Sequence, residues 1–174
     1  GYAALTALIS GDSNTAIGVN AGDSITSANY NVAVGLDALG QTTTGGANVA
    51  VGYQAMEGDA DGDGADNVAI GHKAGYRVTT GGNNIAIGDL SLAGVVTGLT
   101  NVAVGYYALG QVTSGENNVG IGRNVLSYIT TATDNIAIGQ YAGERTGQFN
   151  NTTDNIFIGK FAGRYAQGSR NLFM

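Results

Sequence analysis

Few residues in this chain have the type and spacing to do chemistry. The densest group is Asp59-Ala-Asp61-Gly-Asp63-Gly-Ala-Asp66. Short carboxylates at alternate positions beside glycine are what a calcium loop uses, because hard oxygens must converge on one ion through a sharp turn. The start fits Asp-x-Asp-x-Asp-Gly, but Ile70 stands at the twelfth position, where such a loop carries a bidentate acid. Two readings stay open: Asp59, Asp61, Asp63 and Asp66 bind calcium, or the segment is a polar bulge. No other cofactor is expected.

The remaining candidates are thinner. His72 is the single histidine, so no Ser/His/Asp set can be built, and its place after a turn glycine reads as solvated. The many Gly-x-x-Gly matches lack the strand-loop-helix context that gives a phosphate-binding loop its meaning. A carboxylate pair for glycoside hydrolysis has no specific residues pointing to it. Tyr2, Tyr53 and Tyr106 share one position of a repeat and could stack on sugars, or simply pad a surface. Thr43-Thr44, Thr79-Thr80, Thr113-Ser114 and Thr130-Thr131 suggest an ice-binding column, but Asp59-Ala60 breaks it. The chain is not expected to be an enzyme.

Composition narrows the field further. Only 11% of residues are charged, against roughly 25% in ordinary globular domains. There are 30 glycines but no proline, which excludes collagen, and no cysteine, which excludes disulfides and thiolate metal sites. The net charge of −6 disfavours nucleic acid, whose phosphates would repel the chain. No apolar run approaches the roughly 20 residues of a membrane helix, so no membrane insertion is expected.

What positions these residues is a repeat. Units open at Asn14, Asn31, Asn48, Asn67, Asn84, Asn101, Asn118, Asn135 and Asn155, with a last half-unit at Asn171. The spacing is mainly 17 residues, with exceptions of 19, 20 and 16. Each unit begins like Asn101-Val-Ala-Val-Gly105. Alternating β-branched residues signal a strand, and the glycine turns the chain. Ala then precedes Leu or Gly, as at Ala38-Leu39 and Ala74-Gly75. A second apolar position follows at Ile25, Val78, Val95, Val112 and Ile129, and Thr/Ser/Gly closes the unit. One glycine per turn at about 1 kcal/mol each argues against helix. The pattern predicts an all-β parallel β-solenoid of about ten coils over residues 1–174. It forms one domain, and both ends fall mid-unit, as in a piece of a longer fibre protein. The asparagines are expected to stack as a ladder.

Val and Ile are expected to fill the coil interior and the intervening Ala to face out. The outward strip would then be Ala16, Ala33, Ala50, Ala69, Ala86, Ala103, Gly120, Ala137 and Phe157. A free surface tolerates larger polar residues, so a column of small apolar ones suggests the axis of a homo-oligomer, with a wider axis or a different junction at Phe157 and Phe173. The alternative turns Ala inward and Val/Ile toward a partner or second layer.

The units resemble two families of fibre repeat. Asn67-Val-Ala-Ile-Gly71 and Asn135-Ile-Ala-Ile-Gly139 are similar to the core of trimeric autotransporter adhesin head repeats, which are shorter than 17 residues. Asn14 through Gly22 and Gly71 through Asn84 more closely resemble bacteriophage tail-fibre repeats. The resemblance covers the whole chain. It implies a homotrimeric structural fibre, in a virion or on an extracellular cell surface, that supports attachment to a host receptor or glycan. It transfers no functional residues. Direct glycan binding is the second expectation, and an ice- or calcium-binding solenoid the third.

Overall fold

The computed structural model describes residues 1–58, 62–145 and 152–174. The chain is an all-β parallel solenoid of about nine turns, with no helix among these residues. Its strands are β1 (Thr15–Ile17), β2 (Val32–Val34), β3 (Val49–Val51), β4 (Val68–Ile70), β5 (Arg77–Val78) and β6 (Ile85–Ile87). They continue as β7 (Val95–Val96), β8 (Val102–Val104), β9 (Val119–Ile121), β10 (Ile136–Ile138), β11 (Ile156–Ile158) and β12 (Leu172–Phe173). All but β5 and β7 form one ten-stranded parallel sheet, in chain order; β5 and β7 pair separately.

The register is constant. Val32 pairs with Val49, Val49 with Val68, and Ile136 with Ile156, although the last two steps span 19 and 20 residues. Extra residues are therefore accommodated outside the sheet. The glycine ending each strand makes the corner. Gly35 has φ +136°, and a Cβ there would sit 2.3 Å from the Gly52 carbonyl oxygen of the next coil. No side chain fits that approach.

The facing of the strands corrects the expectation from sequence. The central alanines point into the coil: Ala33, Ala50, Ala69, Ala86, Ala103 and Ala137 are at most 2% exposed, Gly120 is buried, and Ala16 packs partly buried against them. The flanking aliphatics point outward, as at Ile87 (37% exposed) and Ile138 (41%). The Ala strip thus cannot be the surface of an oligomer axis. Period-2 alternation separates two faces without saying which is inside. Space decides it. At Gly120 a Cβ would lie 3.1 Å from Val125 and 3.2 Å from Leu109, so the interior opposite the strand is already filled. An alanine fits there, and a β-branched side chain does not.

Those fillers come from the turn after the strand. Leu39, Leu92, Leu109 and Leu126 are fully buried, with Met56 in the same slot. All have left-handed backbone, for example φ 54° at Leu39 and 45° at Leu126. Leucine there carries strain on the order of 1–2 kcal/mol, offset by burial of its side chain. Gly22, Gly75, Gly143 and Gly163 occupy the same slot at φ 55–60° without strain. They leave a space that a neighbour must fill. This trade-off accounts for the alternation of Leu and Gly. Ile25, Val78, Val112 and Ile129 complete the core, but in one coil it is Val96 that turns inward, while the expected Val95 is only half buried.

Phe157 enlarges the inward column, with Phe173 next to it in register. It is fully buried and stacks on Phe173 with ring centroids 5.4 Å apart. Gly143 and Gly163 make its room: a Cβ would approach Phe157 to 2.9 Å at Gly143 and 2.1 Å at Gly163. The C-terminal change is a repacked interior, where a wider axis or a different junction was expected.

Candidate functional site

The asparagine column is the most regular polar feature. Each side-chain oxygen accepts the backbone N–H of the next asparagine, as from Asn48 to Asn31 at 2.9 Å and from Asn84 to Asn67 at 2.9 Å. Each amide also donates to a carbonyl at the close of its own coil, Asn31 to Gly45 (3.1 Å) and Asn101 to Gly115 (2.8 Å). Asn101, Asn118, Asn135 and Asn155 donate as well to the oxygen of the asparagine before. From Asn31 to Asn155 the column is buried. Asn14, at its start, donates to Ala28 (2.8 Å). Buried amides that satisfy the strand entry and the closing turn together are structural groups.

Of the candidate calcium ligands, Asp59 and Asp61 lie outside the described residues. Asp63 accepts hydrogen bonds from the hydroxyls of Thr44 (2.7 Å) and Thr43 (3.0 Å). These bonds hold its carboxyl below the usual carboxylate range. Asp66 occupies a left-handed turn position at φ 59°. Among the described residues no three His, Cys, Asp or Glu side chains are placed to hold a metal ion.

His72 is exposed, bonds Asp89 at 2.7 Å and stacks on Tyr53 at 5.5 Å. One ring face of Tyr53 is therefore covered. Tyr106 lies under the Arg123 guanidinium at 5.5 Å, while Tyr2 is 82% exposed. The threonines do not form a free hydroxyl array. Thr26 donates to the Thr43 carbonyl, Thr79 to Val96 and Thr113 to Thr130, each at 3.1–3.2 Å. Hydroxyls engaged with the next coil act as a second ladder.

Two groupings were not foreseen from sequence. Asp23, Ser24, Asp37, Gly40, Gln41 and Glu57 line a shallow cavity of about 300 Å³. Burial raises the Asp23 carboxyl, and burial with the charge of Asp37 raises that of Glu57. The other grouping is at the C-terminal coils. Glu144, nearly buried, accepts a hydrogen bond from Arg164, which holds that guanidinium still more firmly charged. The same guanidinium lies over Tyr141, Phe161 and Tyr165 at 5.1–5.2 Å. Aligning Ala142-Gly143-Glu144 with Ala162-Gly163-Arg164 would have put the two charges at one coil position.

A continuous surface feature of the described residues is apolar. On the outer face of the ten-stranded sheet, two columns run from Thr15 and Ile17 to Leu172 and Met174. Every residue between those end pairs is Val or Ile. No helix among the described residues is long and apolar enough to cross a membrane. No family model, no curated protein and no solved structure matches the chain.

Proposed function

We propose that this chain is a structural fibre segment, a stiff shaft of the kind found in phage tail fibres or bacterial surface fibres, serving host or surface attachment from a virion or an extracellular surface. The observation that carries the reading is the uninterrupted bonding between coils. Strand pairing, the asparagine ladder and the threonine bonds each join a coil to the next over almost the whole described length. Parallel bonding of this kind resists bending and leaves few protease-accessible segments. The buried asparagines bond the asparagine of the neighbouring coil along the column, which favours mechanics over catalysis.

A glycan-binding screen on the 174-residue chain tests the reading. A shaft retains no glycan above background. Retention that falls when Tyr53 and Tyr106 are changed to Ala would instead make the exposed edge a direct adhesin surface.

A further inference from the structure

The residues just before the column asparagines stack as a rail of their own. The N–H groups of Tyr30, Ala47 and Asp66 bond to the Asp12, Asn29 and Gly46 carbonyls of the preceding coil at 2.9–3.1 Å, and all three share a left-handed backbone at φ 57–63°. Farther along, Thr100, Asn117 and Asp134 continue the rail, joined by side-chain hydrogen bonds. Ala47 interrupts it. Its single side-chain carbon leaves a notch between Tyr30 and Asp66, and these three residues, with Asn29, Thr44 and Gly46, help line a shallow cavity of about 300 Å³. Tyr30 is 68% exposed. Among the described residues no ring or cation covers Tyr30, and no hydrogen bond or ion pair engages the Asp66 carboxylate.

We propose that this notch binds a quaternary ammonium group, held between the Tyr30 ring and the Asp66 carboxylate. Three observations select that chemistry. The first is spacing. Two coil steps separate Tyr30 from Asp66, about 9.6 Å. A cation rests within about 6 Å of a ring centroid and about 4 Å from a carboxylate oxygen, so one group reaches both across the gap. Rings on this rod turn their faces along its axis: Tyr53 stacks on His72, and Tyr141 on Phe161, from one coil to the next. The second is charge. Every charged side chain within residues 1–72 is Asp or Glu, and Asp63 lies beside the notch, bonded to the Thr44 hydroxyl at 2.7 Å. This field draws a cation and repels phosphate or carboxylate. The third is the shortage of acceptors. The Asn29 side-chain oxygen already takes the Asp12 N–H at 2.7 Å, and the Asn29 and Gly46 carbonyls take N–H groups of the rail. Little is left for the three N–H groups of a primary ammonium, whereas a quaternary one has none to satisfy. The inference does not depend on the fibre reading.

The test is a titration of choline into the 174-residue chain, followed by NMR. Binding in the millimolar range is expected, at least about fivefold tighter than that of methylammonium. Tyr30→Ala and Asp66→Asn should each weaken it about tenfold. Ala47→Asn should abolish it with the β circular dichroism kept, because Asn83 and Asn117 already occupy the same slot at φ 58° and 55°. Tyr53→Ala should leave it unchanged. Cosedimentation with phosphatidylcholine vesicles, and not with phosphatidylglycerol ones, would place the group on a lipid headgroup; choline binding without it would make the ligand a free small cation. Both results support the site. A folded chain that binds no choline up to about 50 mM overturns the proposal. So does binding that survives Ala47→Asn, and so does glucose or methylammonium bound as tightly as choline.

Discussion

Asn101 sits at the centre of five hydrogen bonds. Its N–H and amide reach the oxygen of Asn84, its amide reaches the Gly115 carbonyl, and its oxygen accepts the N–H and the amide of Asn118. Nothing else is positioned to replace them, since the column is fully buried. Asn101→Ala would strand the Asn118 N–H and the Gly115 carbonyl away from water. At about 1–3 kcal/mol for each orphaned group, the loss should be about 2–5 kcal/mol, read from urea unfolding at equilibrium. The ladder was legible in the sequence because identical side chains at a constant interval must lie one above another in any stacked coil. The facing of its neighbours was not. Val119-Gly120-Ile121 and its neighbours alternate equally well in either sense, and only the volume already taken by Leu109 and Val125 opposite Gly120 puts the small residue of the column inside.

At the scale of one coil, the slot after the turn alanine governs how the interior is filled. Leucine supplies volume at the cost of a left-handed backbone; glycine takes the backbone freely and borrows volume from next door. Phe157 is such a loan, lying over Gly143 and Gly163. Gly163→Ala should therefore destabilise by about 2 kcal/mol or more, through overpacking and the unfavourable φ of 55°. In a Phe157→Ala background, where the collision is gone, its cost should fall by about 1 kcal/mol or more, a coupling measurable in a double-mutant cycle of thermal or urea melts. The repeat makes the slot visible in sequence, and the alternation of Leu and Gly there is plain. Its meaning depends on φ, which residue type alone does not reveal when Leu39 and Gly75 share one conformation. The Val95–Val96 pair shows the same limit, since either valine could satisfy the pattern and it is the second that pairs with the buried Val78.

At the scale of the molecule, the period and the absence of helix among the described residues followed from sequence, because regular spacing with a glycine at each corner admits few other solutions. Which face of the sheet is exposed did not, since either sense of alternation satisfies the pattern. A stack in which each coil bonds only its neighbours is close to one-dimensional. Its stability should grade from ends to middle and not divide into independent parts. The account's central claim is that this stack is one continuous rod, and amide hydrogen exchange across the chain tests it most directly. Protection should be greatest over β6, β8 and β9, with exchange about a hundredfold or more slower than at β1 and β12, which fray. If Val102–Val104 or Val119–Ile121 exchanged as fast as those terminal strands, the coils would be opening separately, and the molecule would be a chain of weakly joined turns unable to serve as a shaft.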